Sequence, residues 1–207
     1  MTRSLPARVE VVDVGPRDGL QHEAVILTVE DKVRFIDLIA AAGVPVVESG
    51  AFVSPRWVPQ MADTDAVFAE ISRRGTTRYS ALVPNLRGLE RAAAAGLTEV
   101  AVFAAASESF SRRNINQTIA ESLRTYAAVC QRAARAEIRV RGYVSTSFGC
   151  PFEGPVAPAR VADVAGALFE MGVFEVSISD TIGVAHPGQV WQVLDALQPR
   201  VPVARTA

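Results

Sequence analysis

Lysine is almost missing from this 207-residue sequence: Lys32 is the only one, and arginine supplies the rest of the 21 basic residues. Against 22 acidic residues they leave a net charge of −1, which gives no basic footprint for a nucleic acid or an anionic membrane. Cysteine is also scarce. Cys130 and Cys150 are too few for a disulfide framework, which fits a reducing compartment. The two histidines, His22 and His186, lie in no metal-ligand spacing. No apolar stretch approaches the roughly 20 residues of a membrane span. Met1-Thr-Arg-Ser-Leu-Pro6 leads straight into a strand-like run, with no apolar segment of the export type. The expectation is a cytoplasmic globular chain with neither nucleic-acid nor membrane partners.

What is present is a hydrophobic share of 49%, enough for one sizeable core, arranged as short apolar runs alternating with longer amphipathic ones. The apolar runs are Val9–Val14, Val44–Val47, Tyr79–Val83, Glu99–Phe103, Val140–Val144 and Phe174–Ile178. Each is nearly continuous and rich in β-branched residues, as a parallel strand covered on both faces requires. Helical patterns fill the gaps. Thr28-Val-Glu-Asp31 and Thr118-Ile-Ala-Glu121 read as capping boxes, and Gly43, Gly96 and Gly172 stand where a helix ends just ahead of a strand. This predicts six β–α units without linker, repeat or low-complexity tract. Polar residues follow the strand ends: Arg17 and Asp18, Glu48, Asn85, Ser107 and Glu108, Ser145 and Thr146, Asp180 and Thr181. A barrel gathers such ends at one face, whereas an open sheet splays them. The expected class is therefore α/β, an incomplete (β/α)₈ TIM barrel of about six β–α units, forming one partial catalytic domain over residues 1–207.

The doublet Arg17-Asp18 sits between Gly15-Pro16 and Gly19, which let backbone approach a ligand closely. An arbitrary Arg–Asp doublet is usually solvated surface. At a barrel mouth the same pair offers a hard oxygen ligand for a Mg²⁺- or Mn²⁺-type ion and a guanidinium for a developing oxyanion. Cys130 lies on an apolar helical face and is expected in the core, and Cys150, in a Gly-Cys-Pro loop, is expected to pack rather than react. Trp57 either covers a substrate or anchors its own loop.

Six segments carry a family resemblance: Gly15-Pro-Arg-Asp-Gly-Leu-Gln21, Glu48 with Phe52-Val-Ser-Pro-Arg-Trp-Val-Pro-Gln-Met61, Pro84-Asn-Leu-Arg-Gly88, Ala106-Ser-Glu-Ser-Phe110 with Asn114-Ile-Asn116, Arg141-Gly-Tyr-Val-Ser145 with Gly149-Cys-Pro-Phe-Glu-Gly154, and Ser179-Asp-Thr-Ile-Gly183. In this order and register the sequence resembles the 3-hydroxy-3-methylglutaryl-CoA lyases, metal-dependent carbon–carbon lyases on TIM barrels. The resemblance implies cleavage of an acyl-CoA substrate to acetyl-CoA and acetoacetate, as in leucine degradation, with a divalent cation, Mg²⁺ or Mn²⁺, as cofactor. It makes Asp18 a metal ligand and Arg17 the group that stabilises the enolate oxygen. Glu48 would orient Arg17 or metal-bound water, Asp180 would act near the reacting hydroxyl, and Asn114 and Asn116 would contact the CoA side. A homodimer is left open.

The sequence departs from the family at His22, Ala24 and Ala51, where Asn, Lys and Ser are usual. The family's His-x-His pair, the Asn of its eighth strand and its Gly-rich loop with a reactive Cys are not in these residues. Val201–Ala207 reads as the approach to a seventh strand, so the 207 residues alone are expected to be inactive. Two other readings stand beside the lyase: a related condensing enzyme of the isopropylmalate or homocitrate synthase type, and a non-catalytic fragment.

Overall fold

The computed structural model describes residues 6–73 and 75–207. The elements alternate throughout: β1 (Val12–Asp13), α1 (Val29–Ala41), β2 (Val46–Ala51), α2 (Thr64–Glu70), β3 (Arg78–Leu82), α3 (Leu86–Ala94), β4 (Glu99–Ala105), α4 (Glu108–Ile115), α5 (Ile119–Arg135), β5 (Arg139–Ser145), α6 (Pro158–Glu170), β6 (Glu175–Ile178) and α7 (Pro187–Leu197). Strands follow one another in chain order, β1-β2-β3-β4-β5-β6. A doubly wound open sheet reverses its order at a switch point, whereas consecutive order is that of a β/α barrel. The chain is thus α/β, six β–α units of an incomplete (β/α)₈ barrel. Among the described residues, no helix is long and apolar enough to cross a membrane.

The residues group into two compact units, one up to Ala81 and one from Leu82 to Ala207. In the first, β1 pairs parallel with β2, Val12 opposite Val46 and Asp13 opposite Val47. Every residue of β2 is buried, the mark of a strand covered on both faces. Ile36 of α1, Val67 and Phe68 of α2, and Phe52 and Met61 between β2 and α2 are buried, and the Phe52 and Phe68 rings stack at 5.9 Å. In the second unit β4, β5 and β6 form parallel pairs, with Val102 opposite Gly142 and Gly142 opposite Val176. Gly142 lets Leu168 pack closely on the sheet, since a Cβ there would stand 3.2 Å from the Leu168 side chain. Leu168, Val129 and Val144 are fully buried, each such side chain contributing about 1.5–3 kcal/mol.

Several expectations need correction. The first strand is not Val9–Val14 but Val12–Asp13, and Val9 and Val11 are exposed. The second is not Val44–Val47 but Val46–Ala51, so Glu48 lies inside a buried strand instead of following it. The helix stops behave as read: Gly43, Gly96 and Gly172 have φ of 86°, 73° and 90°, where a Cβ is disfavoured. Beyond β6, Thr206 forms a parallel bridge with Val176, and Ala207 both donates to the Val176 carbonyl (3.0 Å) and accepts from the Ile178 N–H (2.8 Å). Val201–Ala207 does lead into a seventh strand position.

Candidate active site

The end of β1 closes into a single π-helical turn, Gly15–Gly19, with Pro16 buried at its start. One carbonyl, that of Val14, accepts from the N–H groups of Arg17 (3.1 Å), Asp18 (2.7 Å) and Gly19 (3.4 Å). Asp13 accepts the Gly15 N–H at 2.8 Å, and a Cβ on Gly15 would sit 3.0 Å from that carboxylate and 3.4 Å from the Phe35 ring. The backbone is therefore folded tightly enough to project two adjacent charged side chains, and a side chain at Gly15 would crowd the Asp13 carboxylate.

Those side chains meet Glu48. The Arg17 Nε donates to Glu48 Oε1 at 2.5 Å, and an Arg17 terminal nitrogen donates to Asp18 Oδ1 at 2.7 Å. Side-chain exposure grades across the three: Glu48 1%, Arg17 13%, Asp18 50%. A carboxylate as buried as Glu48 is tolerable only when paired and hydrogen-bonded, which makes it an anchor for the guanidinium. Arg17 is thereby oriented, and Asp18 is left half-exposed beside it. His22 places Nδ1 2.8 Å from the Asp18 carbonyl oxygen, a bond to the turn's backbone.

The second unit presents a different arrangement. Asp180, just past β6, is exposed; one carboxylate oxygen accepts the Val184 N–H (3.0 Å) and the other the Ala185 N–H (2.9 Å). Next to it, the Thr181 hydroxyl accepts the Thr146 N–H at 2.7 Å. Thr146 is fully buried with φ at 59°, a conformation that is costly for a β-branched residue. Asn114 is exposed in the last turn of α4, and Asn116 is its left-handed cap, φ 55°, with its N–H on the Arg112 carbonyl at 2.9 Å. Of the six residues singled out by sequence, then, Arg17, Asp18 and Glu48 are joined. Asp180 is held by its own loop, and Asn114 and Asn116 share one helix end.

Other residues near these loops did not stand out by spacing. Glu153 accepts the Ser109 N–H at 2.6 Å, which holds its carboxyl below the usual range. The Arg113 guanidinium lies 4.3 Å over the Phe152 ring. Both Glu153 and Phe152 were within the Gly149–Gly154 motif, but nothing in it marks their partners. Cys150 is buried 3.0 Å from the Ser107 hydroxyl, and burial pushes the Cys130 thiol up to about 11. Both cysteines therefore pack.

A divalent cation of the Mg²⁺ type takes about six oxygen ligands. Among the described residues no three His, Cys, Asp or Glu side chains gather to hold an ion. Glu48 is paired with Arg17 and Asp13 accepts the Gly15 N–H, which leaves Asp18 as the half-exposed carboxylate of this turn. The residues present do not by themselves fit a metal site.

A parallel β/α-barrel chain whose first strand ends in an oriented arginine beside a half-exposed aspartate belongs to the barrel enzymes that carry their chemistry on strand C-termini. The HMGL-like family model matches residues 8–207, and the chain belongs to that family. It is 50% identical over 204 residues to the mitochondrial hydroxymethylglutaryl-CoA lyase of Rattus norvegicus, covering 99% of this chain and 63% of that protein. The 3-hydroxy-3-isohexenylglutaryl-CoA/hydroxy-methylglutaryl-CoA lyase of Pseudomonas aeruginosa is also 50% identical, with 99% and 68% covered. The crystal structure of hydroxymethylglutaryl-CoA lyase from Pseudomonas aeruginosa superposes with a TM-score of 0.94 at 50% identity, over 98% of this chain and 67% of that one. The carboxyl transferase domain of Rhizobium etli pyruvate carboxylase, at 16% identity and a TM-score of 0.68, shares the fold. The chain spans about 63–68% of the length of the curated relatives it matches.

Proposed function

We propose that this protein is a cytoplasmic carbon–carbon lyase that cleaves 3-hydroxy-3-methylglutaryl-CoA to acetyl-CoA and acetoacetate. The observation that carries the reading is the Arg17–Glu48 pair beside Asp18, set in a chain half identical along its length to hydroxymethylglutaryl-CoA lyases. In the reaction a base takes the proton of the tertiary hydroxyl, and the bond between that carbon and the one beside the thioester breaks. The electron pair becomes the thioester enolate, which then takes a proton on carbon. Arg17 is proposed to hold the developing enolate oxygen; Glu48 fixes the guanidinium so that little reorganisation is needed as charge builds. Asp180 is proposed to handle the hydroxyl proton. Asn114 and Asn116, both exposed, are proposed for the CoA end. Asp18 is the one ligand these residues offer to the divalent cation, Mg²⁺ or Mn²⁺, proposed as cofactor. One carboxylate is too few to hold the ion.

The test is an assay of the full gene product with 3-hydroxy-3-methylglutaryl-CoA and Mg²⁺ or Mn²⁺. Acetyl-CoA and acetoacetate should form in equal amounts. A CoA release that instead depends on a 2-oxo acid would replace this reading with the condensing one. Because the Pseudomonas aeruginosa relative is named for a longer 3-substituent as well, the isohexenyl substrate belongs in the same assay.

A further inference from the structure

The only lysine in the chain is also one of its few buried charges. Lys32, in the first turns of α1, is 4% exposed. Its ammonium donates to the Gln60 carbonyl and to Asp63 Oδ1, each at 2.6 Å. Gln60 in turn reaches the other way: its side-chain amide donates to the Glu23 carbonyl at 3.0 Å. Glu23 lies in the segment between the Arg17-Asp18 turn and α1, and Gln60 in the segment between β2 and α2. The far end of that second segment is tied to the strand as well, since the buried Thr64 hydroxyl lies 3.1 Å from the Ala51 carbonyl and 2.9 Å from that of Met61. A chain of contacts thus runs from Lys32 through Gln60 and Asp63 to both loops that flank the Arg17–Glu48 pair.

Burying an ammonium is expensive in water lost, and an apolar residue of similar size often serves stability as well or better. Nor is this the chain's habitual cation: everywhere else it uses arginine. An ammonium is compact and can aim donors in different directions, whereas a planar guanidinium presents a fixed fork. A site that must bond a carbonyl and a carboxylate together in little space suits the former.

We infer that Lys32 is a positioning residue: through Gln60 and Asp63 it fixes segments 52–61 and 20–27 on either side of Arg17, Asp18 and Glu48. The geometry stands independently of the reaction, while its catalytic meaning rests on the lyase reading. Two natural reporters lie in the held segment, since Arg56 is exposed and offers a trypsin site, and Trp57 is 77% exposed.

The test is limited trypsinolysis of the native chain, following the cut at Arg56 against those at Arg112 and Arg113, with Trp57 fluorescence anisotropy in a Trp191→Phe background. Lys32→Met should speed the Arg56 cut roughly ten- to a hundredfold, the factor that loss of a charge-assisted hydrogen bond corresponds to, and should lower the anisotropy. Lys32→Met with Asp63→Leu removes both charges; melting temperature should recover while the Arg56 cut stays fast, because the Gln60 carbonyl still lacks its donor. Gln60→Ala keeps the buried ion pair and the fold, and should loosen the loop to a lesser degree. Unchanged cleavage in Lys32→Met and Gln60→Ala would overturn the inference, as would cleavage that merely tracks melting temperature across the three. None of these readings needs turnover, so the inference and the proposed activity can fail separately.

Discussion

The Arg17 turn and the Asp180 loop both place a carboxylate neighbour at a strand end, yet they are built on opposite principles. Arg17 is oriented by a side chain 31 positions away, Glu48, inside a buried strand. Asp180 is exposed and held by backbone N–H groups four and five residues further on. The first depends on the packed fold, and the second on a local loop that water can reach. Charge placement in the first unit is therefore coupled to stability, whereas in the Asp180 loop it is nearly free of it.

The largest expected effect tests that coupling. Arg17→Met takes away the guanidinium from a carboxylate that is 1% exposed, and stability should fall by about 3–5 kcal/mol, read from urea unfolding. Arg17→Gln, retaining a donor, should fold better but lower turnover of the full gene product about 10²–10³-fold while sparing metal affinity. If Arg17→Met unfolds like the wild type, Glu48 is not relying on Arg17. Asp18→Asn comes next. Its side chain is half-exposed, so stability should move by less than about 1 kcal/mol, while Mg²⁺ or Mn²⁺ affinity in the full gene product should drop in a calorimetric titration. Unchanged affinity would remove Asp18 from the ligand set. Asp180→Ala strips the acceptors from two amides near the surface, costing about 1 kcal/mol, with a far larger loss of turnover. A stability loss equal to that of Arg17→Met would dissolve the contrast between the two loops.

The same contrast explains what could be read in the sequence. Periodicity located β3, β5 and β6 within a residue or two, because their apolar runs are bounded by polar ones. It ended the second strand before Glu48, since a charge inside an apolar run reads as a terminus. The Arg17 partner, 31 positions away and invisible to any local window, helps that charge continue a buried strand. The run Val9–Val14 failed in the other direction: hydrophobic residues there do not guarantee burial, and Val9 and Val11 are exposed. Lys32 was legible only as a rarity, because its partners Gln60 and Asp63 lie 28 and 31 positions away. Thr146 was legible as lying just past the fifth strand, but not its left-handed backbone or the bond from its N–H to the Thr181 hydroxyl. Motifs in register carry the family, whereas the bonds that orient its side chains join residues far apart in the chain and emerge only in the fold.

The smallest effects come from the two helix starts that look alike in sequence. Both Thr118-x-x-Glu121 and Thr28-x-x-Asp31 read as capping boxes. In α5 the box is reciprocal: Thr118 accepts from the Glu121 N–H at 3.1 Å, and Glu121 Oε2 accepts the Thr118 N–H at 2.8 Å. In α1 Thr28 accepts from the Asp31 N–H at 3.1 Å, but the shorter Asp31 carboxylate accepts from the Thr28 hydroxyl at 2.8 Å rather than closing the box through the backbone. Thr28 is exposed and Thr118 half-buried. Both Thr→Ala changes should cost within the usual cap range of about 0.5–2 kcal/mol, with Thr118→Ala the larger. A pH series separates the causes. The Thr118 backbone N–H, then its hydroxyl, hold the Glu121 carboxyl below its ordinary value. A depressed carboxyl contributes stability that is present above the ordinary glutamate value of about 4.3 and lost as pH falls through the folded value beneath it. The gap in melting temperature between wild type and Thr118→Ala should therefore be full at pH 7 and narrow below about pH 4. A gap as wide in acid as at neutrality would mean that the Thr118 hydroxyl serves only as acceptor for the Glu121 N–H and gains nothing from donating to the Glu121 carboxylate.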